Sequence, residues 1–359
     1  MKNTINSITI MLPNDSERAQ IFFWLKKVSS VTAWRRIIKF YTEWAGATET
    51  SLRVADENGW ADRTAIPTSD YALILKGLAH CEEGVIRLSK GDKRVFKFDA
   101  NGEFAMARRI LFHWAEMTTR IEQGENIIDE SHTPLWTEFC ETLTSACKAW
   151  QECAMHVLEP RYLDEPGLTL YGDWLRNELT LLEFPDNLPC PPDPLHNVFI
   201  RTGDVIPSSG IWEPIDEKKS SLISLFKRVA PPIPPFHPVG AMNYLHGGSK
   251  APKITVETED DNIDFDTTWR LLWKDERYLD GNIPAEEKYY KFNEPENSSL
   301  AIRINPAPEQ CVWSESGEIA KASGTWLVES DLNTSIFIEK GAELPLHCGR
   351  QVRWVLSFK

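Results

Sequence analysis

Two stretches in the C-terminal half of the chain carry side chains that could do chemistry. The first is the turn Tyr244–Pro252, in which Ser249 follows His246 by three residues with two glycines between them. A histidine beside a serine can activate the hydroxyl as a nucleophile. A serine and a histidine at this spacing in a glycine turn are more often only a turn, and no Gly-x-Ser-x-Gly elbow accompanies them. An enzyme that acts at this turn is therefore kept as an alternative.

The second stretch is an acidic run of ten residues. Its six carboxylates belong to Glu257, Glu259, Asp260, Asp261, Asp264 and Asp266. The run could bind calcium, but it lacks the central glycine and the closing glutamate of an EF-hand loop. Dense negative charge also attracts a basic protein partner and speeds the encounter with it. We predict that the run binds a partner, with Phe265 as a candidate aromatic anchor; the alternative is a solvated, flexible loop.

Several kinds of chemistry lack their usual motifs. The chain has no glycine-rich phosphate loop, no dinucleotide fingerprint, no His-Glu-x-x-His and no spaced Cys/His set. We therefore predict no enzyme activity, no cofactor and no metal. The cysteines are odd in number and contain no Cys-x-x-Cys pair. Cys140 and Cys147 lie at helical spacing in an apolar pattern, so we expect them to be buried thiols, which favours a reducing compartment. The cysteines of the chain are Cys81, Cys140, Cys147, Cys153, Cys190, Cys311 and Cys348.

Net charge and hydropathy limit the classes of molecule that the protein is expected to bind. The formal net charge is −14, and residues 101–200 alone carry 17 acidic and 6 basic groups. An acidic protein is a poor partner for a phosphate backbone, so we predict no nucleic-acid binding. No apolar run approaches the length of a membrane span or a signal peptide. The prediction is a cytoplasmic protein without membrane contact.

A sequence pattern that occurs twice in the C-terminal half indicates the elements that position the turn and the acidic run. The first copy runs from Gly203 to Trp212 and the second from Gly317 to Trp326, at a spacing of 114 residues. Glycine suits tight turns, and a tryptophan after Ser-Gly suits a strand that plants its ring in a core. We predict two related β units. The structural motif residues are Gly203, Ser209, Gly210, Trp212, Gly248, Gly317, Ser323, Gly324 and Trp326.

The hydrophobic periodicity changes once along the chain. Helical spacing predicts helices over 16–46, 71–89, 103–123, 134–158 and 170–184, with a short extended segment at 93–98. Five prolines in 185–194 predict a stiff linker. Short β-rich runs follow, at 198–200, 210–212, 253–257, 268–273, 300–304, 335–339 and 352–358. The predicted fold is α+β: an α-helical bundle over 1–184, a linker over 185–197 and a β-rich domain over 198–359.

The two motifs of the first β unit resemble a known family. Gly-Asp-x-x-Pro-x-Ser-Gly-x-Trp from Gly203 to Trp212, and Met-Asn-Tyr-Leu-His-Gly-Gly-Ser-x-Ala-Pro from Met242 to Pro252, are similar to motifs of immunity proteins of bacterial polymorphic-toxin and type VI secretion systems. The resemblance implies a helical N-terminal half and a second Ser-Gly-x-Trp segment, found here at Ser323–Trp326. It also implies that the protein binds a cognate toxin in the cytoplasm. It assigns no toxin-contacting residue, because the motif residues look structural.

These observations together predict an immunity protein. It would bind and neutralise a cognate toxin that acts in the cytoplasm, a nuclease being one candidate. The acidic run and Phe265 are the predicted contact residues. The alternatives are the enzyme described above and a structural or adaptor module, and a homodimer is left open.

Overall fold

The computed structural model describes most of the chain and has the predicted α+β class. Helices occupy the N-terminal part, and a β-rich part follows them. The residues described are 2–5, 8–98, 102–125, 127–159, 171–194, 198–216, 236–257, 262–293, 313–328 and 331–357.

The helices fall close to the predicted positions, with one exception. In place of one helix over 16–46 there are two, α1 and α2, and α2 continues into the predicted loop. That prediction was wrong. The helices are α1 (Asp15–Val28), α2 (Val31–Glu57), α3 (Thr68–Leu88), α4 (Glu103–Glu122), α5 (Trp136–Val157) and α6 (Asp173–Leu181).

Two buried serines explain the break between α1 and α2. The hydroxyl of Ser29 donates to the carbonyl of Leu25 at 2.6 Å, and that of Ser30 donates to the carbonyl of Lys27 at 2.6 Å. The Ser30 hydroxyl also accepts the N–H of Ala33 at 3.1 Å, as a helix cap does. Side chains that compete for backbone groups in this way end one helix and begin the next.

Two further local predictions were wrong. The segment predicted to be extended at 93–98 contains a 3₁₀ helix, Lys93–Phe96, because the Asp92 carboxylate accepts the N–H of Arg94. The helix predicted to start at 134 begins at Trp136 instead, after Leu135 adopts a left-handed conformation with φ 57°.

The strands form two larger sheets and two hairpins. The first sheet has the order β3-β9-β4-β5, with β6 also paired to β4, and the second has the order β10-β13-β11-β12. Hairpin β1–β2 was not predicted, and the strand predicted at 300–304 lies outside the described residues. The strands are β1 (Lys2–Ile5), β2 (Ile8–Met11), β3 (Phe199–Arg201), β4 (Gly210–Asp216), β5 (His237–Pro238), β6 (Asn243–Leu245), β7 (Ile254–Glu257), β8 (Asn262–Phe265), β9 (Thr268–Lys274), β10 (Trp313–Glu315), β11 (Gly324–Val328), β12 (Asp331–Ile338) and β13 (Arg353–Ser357).

The two sheets make the same backbone turn at the spacing of the sequence pattern. Gly203 and Gly317 both have positive φ, 87° and 89°, which glycine adopts without strain. The N–H of Gly203 donates to the carbonyl of Ala251 at 2.9 Å, and the N–H of Gly317 donates to that of Leu344 at 2.7 Å. The motif glycines therefore serve the same turn in both sheets.

Side-chain bonds repeat in the same way. The indole N–H of Trp269 donates to the carbonyl of Pro252, and that of Trp354 donates to the carbonyl of Pro345, both at 2.9 Å. The hydroxyl of Ser209 accepts the N–H of Gly247, and Ser323 makes the equivalent bond to Lys340. These matches support two related β units, whose common origin stays a prediction.

Each sheet buries its motif tryptophan in a core of its own. Trp212 packs with Ile200, Trp269 and Leu271, and Trp326 packs with a separate set around Trp354. Both motif rings are fully buried, as the structural interpretation of the motif requires.

Close contacts divide the chain into two compact units. The first comprises residues 1–41, 80–109 and 145–295, and the second comprises 42–79, 110–144 and 296–359. The first unit therefore holds helical segments together with the first sheet. This division differs from the predicted domain boundaries, and the role of 185–194 as a linker stays a prediction.

A buried ion pair joins α1 to the end of β9 within the first unit. The guanidinium of Arg277 donates to the Asp275 carboxylate at 2.7 and 2.9 Å and to the carbonyls of Lys26 and Ser29 at 2.8 and 3.2 Å. The Asp275 carboxylate also accepts the hydroxyl of Tyr244 at 2.9 Å. Burial by itself would raise the pKa of Asp275, but Arg277 and its other partners hold that pKa below its usual value.

A second buried carboxylate binds the start of α2. The N–H and the hydroxyl of Thr32 donate to Glu287, at 3.1 and 2.6 Å. The hydroxyl of Tyr278 also donates to Glu287 while it accepts the N–H of Val31. Acceptors at this place satisfy N–H groups that a helix leaves without partners at its first turn.

Replacement of Asp275 by Asn should destabilise the protein strongly. The change leaves the buried Arg277 without a counter-charge, and breaking a buried pair costs about 3–5 kcal/mol. The free energy of unfolding from urea titrations at pH 7 measures the effect. Tyr244→Phe is the control, since it removes one hydrogen bond to the same carboxylate and should cost about 1 kcal/mol.

The same variant should also lose part of the acid sensitivity of the protein. Folded Asp275 has a lowered pKa and binds fewer protons than the unfolded chain, so its stabilisation is full above about pH 4 and is lost as pH falls further. Wild-type stability should therefore fall more steeply than that of Asp275→Asn as the pH drops below 4. Equal slopes would contradict the assigned pair.

A protease site inserted into 185–194 should be cut without separation of the two fragments. The fragments share the first unit, where buried bonds join α1 to β9. After cleavage, gel filtration at neutral pH should still give the 41.0 kDa particle. Fragments that elute separately would show that 1–184 and 198–359 are independent domains.

Candidate acidic binding hairpin

The predicted contact residues surround the hairpin β7–β8, called the acidic hairpin below and defined as residues 254–266. In its antiparallel register Ile254 lies opposite Phe265 and Thr255 lies opposite Asp264. Ile254 is buried in the core of the first sheet, and the half-buried ring of Phe265 packs against the same core. The base of the hairpin is therefore fixed by apolar contacts.

The described carboxylates of the hairpin include two exposed groups. Asp266 is exposed, and exposed Asp264 accepts the hydroxyl of Thr255 at 3.0 Å. The backbone of Glu257 pairs with Asn262 at the end of the hairpin. The three remaining predicted contact residues lie outside the described residues: Glu259, Asp260 and Asp261. Phe265 holds the base of the hairpin, and its role as an anchor for a partner stays a prediction.

The turn Tyr244–Pro252 is built into the core of the first unit. The ring of His246 is buried and packs near Tyr244 and Phe96, with centroids 5.5 and 6.4 Å away. Burial lowers the pKa of His246 to about 4, so the imidazole is neutral at neutral pH. Ser249 is also buried, and its N–H donates to the carbonyl of His246. These positions favour a structural role for both side chains.

Among the six thiols that the structure describes, those with a raised pKa are poor nucleophiles. All six are free, and burial raises the pKa of Cys140, Cys147 and Cys153 to about 12. A thiol with so high a pKa stays protonated and unreactive at neutral pH. Cys140 and Cys147, which were predicted to be buried, are partly exposed; Cys81 and Cys153 are buried, and Cys190 and Cys348 are exposed.

Two features are absent from the part of the chain that the structure describes. No three His, Cys, Asp or Glu side chains of this part of the chain converge on a metal-sized site. None of the helices in the same part combines the length and the apolar composition that a membrane crossing needs.

The sequence analysis missed a buried acid in the middle of a strand. Glu213 is fully buried in β4 and binds both Arg18 of α1 and Arg270 of β9. The sequence held a sign of this burial, because Glu213 stands within the otherwise apolar run Ile211–Ile215. A glutamate buried in such a run needs a charged or hydrogen-bonding partner. Such a strand has helices or other layers on each side.

Two family matches cover most of the helical part and the first sheet. Residues 12–167 match the family Immunity protein 71, and residues 191–291 match the family Immunity protein 72. The chain belongs to an immunity protein family. The resemblance found in the motifs is thereby confirmed at the level of the family. No curated protein and no solved structure matches the chain.

The two matches are separated between the helices and the first sheet. The first match contains α1 to α5, and the second contains the first sheet together with the acidic hairpin. The second sheet lies beyond both matches. Immunity proteins bind cognate toxins, so the family indicates a toxin-neutralising role.

Replacement of Ser249 by Ala should leave toxin neutralisation intact. The side chain is buried in a structural turn, and loss of a hydroxyl there does not touch a partner surface. Growth of cells that express the toxin together with each variant measures the effect. Loss of protection by a variant that keeps its wild-type circular dichroism and melting temperature would instead support catalysis at this turn.

Proposed function

We propose that this immunity protein neutralises a toxin that acts in the cytoplasm, by direct stoichiometric contact, with the acidic hairpin as part of the contact surface. Membership of an immunity protein family is the observation that carries the proposal. The similarity of the motifs to polymorphic-toxin and type VI secretion immunity proteins supports a toxin delivered between bacteria.

The acidic hairpin is an addition to the shared structure of the sheets. In the second sheet a tight turn, closed by pairing of His347 with Arg350, leads from Pro345 to β13 at Arg353, whereas in the first sheet the longer acidic hairpin lies between Pro252 and β9. The paired tryptophan–proline bond forms in both cases. Since the shared geometry does without the hairpin, the hairpin is free to serve a partner.

The charge of the hairpin suits a toxin with a basic surface. A nuclease carries basic residues where it holds the phosphate backbone, and carboxylates placed against them would block that surface. Long-range attraction also raises the association rate, and the net charge of −14 acts in the same direction. We therefore propose a nuclease as the class of toxin.

Removal of the hairpin charges should slow association with the toxin. The isosteric changes keep hydrogen-bonding groups and volume, so the fold should not change. The expected result is an on-rate lowered on the order of 10-fold at low ionic strength, with a weaker dependence on salt. Stopped-flow measurements at two salt concentrations provide the test. The changes are Glu257→Gln, Glu259→Gln, Asp260→Asn, Asp261→Asn, Asp264→Asn and Asp266→Asn.

A matched variant removes the same number of charges from the acidic stretch 101–200. Its members are exposed carboxylates, and the change in net charge equals that of the hairpin variant. If this variant slows association and the hairpin variant does not, the contact surface lies on the helical part. The matched residues are Glu116, Glu122, Glu130, Glu178, Asp186 and Asp193.

A further inference from the structure

The first sheet is covered by α1 on the face opposite its tryptophan core. Residues alternate between the two faces of a strand, so Ile211 and Glu213 of β4 lie on the face opposite Trp212. Ile211 and Glu213 are both fully buried. Tyr244, which lies opposite Ile211 in the register, is buried as well.

Contacts from α1 account for the burial of Glu213, whereas Phe96 of the 3₁₀ helix packs edge-on against Tyr244 at 5.9 Å between ring centroids. Arg18 makes an ion pair with Glu213, and the ring of Phe22 meets Trp273 of β9 edge-on at 6.4 Å between centroids. Arg18 and Phe22 are four residues apart and therefore lie on the same side of the helix. The first sheet thus contains a built example of a helix seated on this outer face.

The equivalent face of the second sheet carries different side chains. The matching bonds and registers place Thr325, Leu327 and Phe337 where the first sheet has Ile211, Glu213 and Tyr244. Phe337 remains 65% exposed, although its counterpart is buried. Leu327 and Thr325 are half-buried, as residues in the middle of an open sheet face are.

The replacements remove the buried charges from the second face, which also carries Ser335 opposite Leu327. Glu213 pairs with Arg270 in the first sheet, and the corresponding cross-strand pair in the second sheet is Leu327 with Val355. Phe337 lacks the hydroxyl with which Tyr244 binds Asp275. An occupant of this face therefore needs apolar side chains where α1 supplies Arg18.

We propose that the outer face of the second sheet, formed by Phe337, Leu327 and Val355, binds an amphipathic helix of the cognate toxin. The helix would lie on this face as α1 lies on the first sheet, with apolar side chains at positions i and i+4 in place of Arg18 and Phe22. An exposed aromatic ring with aliphatic neighbours is a typical centre of such an interface. This inference rests on the proposed function and adds a second contact surface to the acidic hairpin.

The test measures the affinity of the 359-residue chain for an inactivated form of the toxin that it neutralises. Phe337→Glu should raise the dissociation constant by at least about 10-fold. Phe337→Leu should raise it by only roughly 3-fold, because leucine keeps an apolar contact. The on-rate and its salt dependence should stay near wild type, unlike those of the hairpin variant. Since the ring is exposed, the melting temperature should not change.

Val205→Glu provides the matched control, because Val205 is 64% exposed and lies on the turn of the first sheet. It should bind the toxin as the wild type does. Unchanged affinity of Phe337→Glu, with tight binding by the wild type, would overturn this inference and leave the proposed function standing. Absence of binding by the wild type would overturn both.

Hydrogen exchange on the toxin in the complex tests the class of occupant. Protection is expected over a toxin segment with apolar residues at helical spacing, and this protection should be lost with Phe337→Glu. Protection of an extended segment that pairs with the edge of β12 would overturn the helix. Dissociation of a wild-type dimer by Phe337→Glu, with toxin affinity unchanged, would assign the face to a second copy of this chain.

Discussion

The buried contact between Arg277 and Asp275 is the constraint on which the first unit depends. Two charges removed from water cost several kilocalories per mole unless their hydrogen-bonding capacity is met. Here the guanidinium reaches the last turn of α1, and the carboxylate reaches Tyr244 in β6. The charges are satisfied only while helix, strand and turn keep one arrangement. The cluster therefore favours one placement of α1 on the first sheet.

Local patterns predicted the elements better than their assembly. Periodicity located α4 and α6 closely, and the repeated glycine and tryptophan positions located the turns of both sheets, since each rests on interactions within a short stretch of chain. The break at Ser29 escaped prediction because a serine pair is compatible with a continuous helix until a distant arginine binds it. The placement of α1 and β9 in one unit was also not predicted, because it too depends on contacts between residues far apart in the sequence.

The candidate contact surface was accessible to sequence reasoning only in part. A dense run of carboxylates predicts a partner site by charge alone, and in the structure Ile254 fixes the base of the acidic hairpin. The anchoring position of Phe265 depends on three-dimensional packing, which sequence spacing does not report. The second face, centred on Phe337, becomes visible only when equivalent positions of the two sheets are compared. The proposed function would give both surfaces a common purpose, which is contact with the toxin.

The tryptophan–proline bond that closes each sheet has a consequence for adaptation. Trp269 and Trp354 make this bond although the segment that leads to them differs in length between the two sheets. Chain length between these fixed points can change without a penalty in the core, because loop closure depends only weakly on loop length. If a toxin changes its surface, insertion, deletion or exchange of residues in that segment can restore the contact without a change in the core. The core geometry thus permits the segment proposed for recognition to change in length while the paired tryptophans keep their places.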